Sequence, residues 1–270
     1  MTGAKGKEDP DFLSTLERGL RVLSSFDREH PEMALSEVAA RTGLSPAVAR
    51  RCLITLVKLR YVAQHGRRFL LRPDVLAFGQ SYLASMNIEG IASRRLEQIS
   101  QQTEDGASLA VLSRDDIVCL AHAPSHRTIQ LIIQPGSRFA AHATALGRVL
   151  LAFQDQEEID AWIANAKLER LTEHTVTDPA LLREELARVR EQGYSAVQDE
   201  LDYGIVAVAV PVLDENGQAV AAIACSTSTN RIARDELVRT RLPLLRATAR
   251  EIESSLRSFP SLVHSLRRER

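Results

Sequence analysis

The sequence predicts an α+β chain in two parts, a small N-terminal winged helix-turn-helix joined by a linker helix to a larger α/β domain. Three observations predict it. Residues 13–60 carry apolar positions at helical spacing, punctuated by Pro31, Gly43 and Pro46, with a short hairpin pattern behind them. From Ala107 the apolar period shortens toward two, and strand patterns are mixed with helical ones. Charge is also split along the chain. Residues 1–80 hold 13 Lys or Arg against 9 Asp or Glu, whereas residues 81–270 hold 21 against 26.

Residues 1–10 are expected to be a disordered tail. The first helix is expected from about Leu13 to Phe26, with Leu16, Leu20, Leu23 and Val22/Phe26 at helical spacing. After Pro31, Ser36 is the expected cap of a short second helix that stops at Gly43. Ser45-Pro46 then opens a third helix, an N-cap followed by proline at the first helical position. Its inner stripe is Val48, Cys52, Leu56 and Leu59, with Ala49 and Leu53 beside them. Ala47, Arg50, Arg51, Ile54 and Lys58 fall on the opposite side. A hairpin follows, Tyr61 to Gln64, a His65-Gly66 turn, and Arg67 to Leu71.

Between Glu37 and Asp74 there is no acid, but there are eight bases, Arg41, Arg50, Arg51, Lys58, Arg60, Arg67, Arg68 and Arg72. An ordinary solvated helix face interleaves acids with bases, and this segment has none. A short helix, a glycine turn, a capped longer helix and a two-arginine hairpin tip make a helix-turn-helix with a wing, suited to double-stranded DNA. Ser45, Ala47, Arg50, Arg51, Ile54 and Lys58 are the candidate groove-facing residues, and Arg67 and Arg68 the candidate wing contacts. Arginine in these places forks onto guanine or clamps a phosphate, and the sequence leaves the choice open.

Pro73 opens a linker helix, residues 74–87, with Val75, Leu76, Phe78, Leu83 and Met86 apolar. Such a helix packs either on its own domain or on a partner chain. The second domain is expected over 88–260 and a frayed tail over 261–270. It begins with a helix from Ile88 to Thr103, followed by strands at Ser108–Leu112, Ile117–Ala123 and Thr128–Gln134. Helices are expected at Thr144–Phe153, Glu157–Ala166 and Pro179–Gln192. A hairpin of Val206–Leu213 and Ala219–Ser226 follows, then a last helix from Arg234 to Leu256. The strands suggest a central antiparallel sheet.

Composition excludes several classes. Hydrophobic residues at 44% and charged residues at 26% are globular values, not those of a disordered or collagenous chain. Apolar runs such as Ile205–Val210 fall far short of the roughly 20 residues that span a bilayer. The basic N-terminus has no apolar segment behind it, so no secretory signal and no membrane partner are expected. Cys52, Cys119 and Cys225 are far apart in apolar surroundings and read as thiols in a reducing cytoplasm. There is no glycine-rich phosphate loop, and no cofactor is expected. Ser226, His142 and Asp199 form an imaginable nucleophile, base and orienter, but no nucleophile elbow accompanies them, so no catalytic residue is expected. Cys119, His122 and His126 have spacing a metal can use. Strand alternation puts the first two on opposite faces, so no metal site is expected.

Over nearly its whole length the chain resembles the IclR family of bacterial transcription regulators. The resemblance is carried by Leu16-Glu-Arg-Gly-Leu-Arg-Val-Leu, Leu35-Ser-Glu-Val-Ala and Thr42-Gly-Leu-Ser-Pro, and by His142-Ala-Thr-Ala-Leu-Gly-Arg-Val-Leu-Leu-Ala. Gln198-Asp-Glu-Leu-Asp-Tyr-Gly and Ile205-Val-Ala-Val-Ala-Val-Pro-Val extend it. Through Ala49-Arg-Arg-Cys-Leu-Ile-Thr-Leu, Gly66-Arg-Arg-Phe-Leu-Leu-Arg-Pro and Val75-Leu-Ala-Phe-Gly it is most similar to the branch containing PcaU, PcaR and PobR. The resemblance implies a GAF-like effector-binding domain and a homodimer or dimer of dimers. It also implies a small organic acid as effector, aromatic or ring-cleaved in that branch. The family pocket then falls at Ala145, Leu146, Asp199, Ala207, Ala224 and Ser226, with alanine at 224 where serine is common. Thr144 to Gly147 lie where a loop enters a helix, so backbone N–H groups there favour a carboxylate. Arg127 and Arg138 are further candidates to pair with a second carboxylate. A constitutive DNA-binding dimer whose second domain only assembles subunits is the competing reading.

Overall fold

The computed structural model describes residues 11–85, 87–125 and 133–266, which divide into two units between Ser81 and Tyr82. The tail 1–10, Met86, His126, Arg127, most of the expected strand 128–134 and residues 267–270 lie outside the described residues. Gln134, which belonged to that expected strand, is not in a strand.

In the first unit, α1 (Ser14–Leu23) is followed by a strand that the sequence did not announce, β1 (Glu32–Ala34). Helix α2 (Leu35–Thr42) starts one residue before Ser36. Its first turn is closed by Glu37, whose carboxylate accepts from the Ala34 amide at 2.6 Å. Gly43 ends it in the left-handed region at φ 65°. In α3 (Pro46–Lys58), Ala49, Cys52, Leu53 and Leu56 are buried as the stripe requires, but Leu59 is 57% exposed. The helix ends at Lys58. Arg60 turns left-handed at φ 69°, and the Tyr61 and Arg60 amides return to the Leu56 and Val57 carbonyls, which rolls Leu59 outward.

Strands β2 (Val62–His65) and β3 (Arg68–Leu71) form the wing, and β1 pairs with β3 to give the order β1-β3-β2. His65 faces Arg68 across the ladder, so the two-residue turn is Gly66-Arg67 rather than His65-Gly66. Gly66 takes its first corner at φ 59°, where a side chain is disfavoured. The core of this unit is Val22, Met33, Val38, Leu53 and Val62, each at most 1% exposed. A 3-10 turn, Pro73–Val75, leads into α4 (Leu76–Ser85), so the division between units falls inside the expected linker helix.

The second unit has one six-stranded antiparallel sheet. A π-helical turn, Glu89–Ser93, leads into α5 (Arg94–Thr103), β4 (Gly106–Ser113), β5 (Asp116–Ala123) and β6 (Arg138–Ala140). Then come α6 (Ala145–Ala152), α7 (Gln156–Asn165), α8 (Pro179–Gln192) and β7 (Ser195–Gln198). The chain closes with β8 (Ile205–Leu213), β9 (Ala219–Ser228), α9 (Arg234–Leu256) and α10 (Pro260–Leu266). The order is β6-β5-β4-β9-β8-β7. A frayed tail is expected from residue 261, but the described part of it, 261–266, is helical. Leu262 and Leu266 are buried in the core, which holds residues 260–266 as a helix.

Alternation along the strands gives the sheet two apolar faces. Val206, Val208, Val210, Ile223 and Cys225 pack with α5, α9 and α10, whereas Ala110, Ala209, Ala222 and Ala224 pack with α6, α7 and α8. The small residues on the second face let α6 approach the sheet closely. Asp105, with no exposed surface, joins α5 to α9. It pairs with Arg231, and with Arg241 Nε at 2.8 Å.

Candidate functional site

Two sites stand out, one in each unit. In the first, Ser45 caps α3, its hydroxyl accepting from the Val48 amide at 3.4 Å. Ala47, Arg50, Arg51 and Lys58 are exposed and Ile54 is half-buried, one face of the helix as the spacing implied. Arg67 sits exposed in the wing turn. Arg68 is placed differently. Its guanidinium donates to the Glu32 carbonyl at 2.9 Å and lies 3.4 Å from the Glu37 carboxylate, so it is tied to β1 and the start of α2. These partners precede the acid-free run and meet Arg68 only through the unannounced β1.

In the second unit a cavity of about 580 Å³, open mouth included, lies between the α6 end and the sheet. Thr144, Ala145, Leu146, Ala207, Ala224 and Ser226 line it together. Ser108, Ile117, Cys119, Ile133, Phe139, Val197, Leu201 and Ile205 complete most of the wall. Ser108 was not legible as part of the wall because it comes beside Ala224 only through the pairing of β4 with β9.

Thr144 caps α6, accepting from the Gly147 amide at 3.1 Å. The first N–H groups of the helix, at Ala145 and Leu146, are those that no intrahelical acceptor satisfies. Gly147 allows the motif to close. A Cβ there would lie 2.2 Å from the Ala141 carbonyl oxygen, so only glycine fits. Arg148, on the next position, is buried and reaches across to Glu200, and its Nε donates to the His142 carbonyl at 2.9 Å. Burial pushes the Glu200 carboxyl up, and the Arg148 guanidinium works against that.

Asp199 does not line the cavity, which corrects its place in the expected pocket. It adopts φ 58°, and its carboxylate accepts from the Gly204 amide at 2.6 Å, closing the loop between β7 and β8. Arg138 is likewise outside, donating to Asp116 at 3.1 Å and to the Ser113 carbonyl at 2.9 Å. His142 is buried and bonded to the Glu169 carbonyl at 2.9 Å, so Ser226, His142 and Asp199 do not form a catalytic array.

Cys119 and His122 depart from simple alternation. The register of β4 against β5 shifts at Leu109/Ala110, which face Ala121 and Cys119, leaving Leu120 as an extra residue. The bulge turns His122 to the same side as Cys119, with His122 Nδ1 at 2.9 Å from the Ser108 hydroxyl. Among the described residues no three His, Cys, Asp or Glu are placed to hold a metal ion. Burial pushes the Cys119 thiol up to about 12 and lowers His122 and His142 below the ordinary histidine value.

The chain matches two family models, the IclR helix-turn-helix domain over residues 15–66 and the bacterial transcriptional regulator IclR C-terminal domain over residues 80–254. It is 37% identical to the Pca regulon regulatory protein of Pseudomonas putida, over 90% of this chain and 84% of that one. It is 36% identical to the p-hydroxybenzoate hydroxylase transcriptional activator of Acinetobacter baylyi, over 90% of this chain and 92% of that one. The inducer-binding domain of the Acinetobacter PobR transcription factor, solved as a double mutant with 3-hydroxybenzoic acid, superposes with a TM-score of 0.57 at 35% identity. It covers 61% of this chain and 96% of that domain. The winged helix, the sheet domain with its cavity and these matches together make the chain a member of the IclR family, a DNA-binding transcription regulator and not an enzyme.

Proposed function

We propose that this regulator acts in the cytoplasm on genes of aromatic catabolism, with an aromatic or ring-cleaved organic acid as its effector. The observation that carries the reading is the cavity itself, an apolar space whose wall includes the first residues of a capped helix. An acid would set its carboxylate against the Ala145 and Leu146 amides and its apolar body against Ile117, Phe139 and Ile205. Among the described residues no Lys or Arg lines the space. The Acinetobacter domain with 3-hydroxybenzoic acid supports an aromatic acid.

On the DNA side, Arg50, Arg51, Ala47, Ile54 and Lys58 would face the major groove, Ser45 the backbone at the helix start, and Arg67 the neighbouring phosphates or minor groove. Arg68 would reach DNA only by leaving Glu32 and Glu37. Assembly as a homodimer or dimer of dimers is supported by the exposed apolar stripe of Leu13, Leu16 and Leu20, each more than half exposed.

The test starts by selecting the operator from a random DNA pool with the full chain. Arg51→Ala and Arg67→Ala should each weaken binding to it by about 1–3 kcal/mol with the fold intact. Ser226→Leu should leave operator affinity unchanged and abolish calorimetric binding of the aromatic acid. Wild-type operator affinity in both arginine variants across a salt series would remove the DNA face. An unchanged acid titration in Ser226→Leu would remove Ser226 from the pocket.

A further inference from the structure

The side chains lining the cavity are mostly aliphatic, and most of its polar atoms are already engaged. The Thr144 hydroxyl accepts from the Gly147 amide and donates to the Ala140 carbonyl at 3.3 Å. The Cys119 thiol donates to the Ala121 carbonyl at 3.3 Å. Two hydroxyls keep unspent capacity. Ser226 Oγ is bonded to no other described residue. Ser108 Oγ, on a residue 4% exposed, has one bond, to His122 Nδ1.

These two hydroxyls meet at one corner. Gly106 faces Ser226 across the ladder, and Ser108 lies two residues further along β4 on the same side. A Cβ at Gly106 would sit 3.4 Å from Ser226 Oγ and 3.4 Å from His122 Cε1. The imidazole, both serines and the space above Gly106 therefore converge. A serine hydroxyl donates one hydrogen bond and accepts two. After the bond to His122, the corner still offers both donor and acceptor capacity, and among the described residues no Lys or Arg lines it.

We propose that Ser108 and Ser226 form a subsite that reads a hydroxyl substituent on the effector, with His122 as the positioning residue that orients the Ser108 hydroxyl. This rests on the reading of the cavity as an aromatic-acid site and adds what that acid must carry. A hydroxyl both donates and accepts, so it matches the corner. A carboxylate only accepts, so it would leave the acceptor capacity of the two serines unmatched. A bare ring edge would strand the Ser108 and Ser226 oxygens, and a site built for a hydroxyl rejects the analogue that lacks it. His122 is held uncharged by burial, so it acts as a hydrogen-bonding anchor and brings no charge to the corner.

The test is calorimetric titration of the full chain with benzoate, 3-hydroxybenzoate and 4-hydroxybenzoate. Wild type is expected to bind at least one hydroxylated acid about tenfold or more tightly than benzoate. Ser108→Ala and Ser226→Ala should bring that ratio toward one. His122→Phe should do the same, and His122→Asn, whose amide can occupy the Nδ1 position, should keep the wild-type ratio. A purely structural role for His122 would weaken all three acids equally and leave the ratio unchanged, which overturns its assignment. A wild-type ratio of one, or a ratio unmoved by both serine variants, overturns the subsite alone. No binding of any of the three acids overturns the aromatic-acid reading and the subsite with it.

Discussion

Asp105 has no exposed surface, and two guanidinium groups hold it, with Arg231 also donating to the Thr103 carbonyl at 2.7 Å. Removing one member of such a buried group leaves the others charged and unmatched. Asp105→Ala is expected to cost about 3–5 kcal/mol, a fall in Tm on the order of 10 °C, read by thermal denaturation. A change under a degree would mean the arginines find solvent without loss. Asp105 was not legible in the sequence, since its partners stand 126 and 136 positions away. What could be read at this scale was local. Ser45 with Pro46 and Thr144 before α6 announce helix starts because a cap bonds within three residues. Arg68 and Asp199 were misplaced because their partners come from another strand or across a loop.

Among the elements, α8 and α9 were legible to the residue, each having long apolar periodicity and a sharp start, such as Asp178 before Pro179. The strands β1, β6 and β7 have three or four residues each, too few to show a period of two. The bulge at Leu120 is set by pairing, so alternation alone placed His122 on the wrong face. Helix α9 carries one feature its length hides, Pro243 in its interior. Proline has no N–H for the carbonyl four residues earlier, so the ladder is interrupted at Arg239. Only Leu237 is buried before Pro243, whereas Leu245, Thr248, Ala249, Ile252 and Leu256 are buried after it. Hydrogen exchange should therefore be faster at amides 238–242 than at 247–252. Equal protection on both sides would show that packing bridges the break.

For the whole molecule, the buried histidines set a pH response. His122 and His142 are lowered by burial, so the folded chain refuses protons that the unfolded chain accepts below about pH 6.5. Stability from this source is present above pH 6.5 and lost as pH falls toward the folded values. Glu200, raised by burial, works in the opposite direction, gaining stability as pH falls toward its ordinary range. With two groups against one, Tm is expected to drop between pH 7 and 6, by less in His142→Asn. A flat Tm over that interval would mean both imidazoles charge in the folded state.

The two units and their order along the chain were legible because their hydrophobic periods differ; the pairing of β4 with β9 was not, since it joins residues 106–110 to 222–226. That pairing has a consequence during synthesis. The winged helix is complete once residue 71 has been made, but β4 waits for its central neighbour until β9 ends at Ser228. At about 5–20 residues per second, the ribosome needs roughly 10–30 s to cover that interval. For that time a growing chain has the parts that hold an operator and lacks the parts that hear an effector.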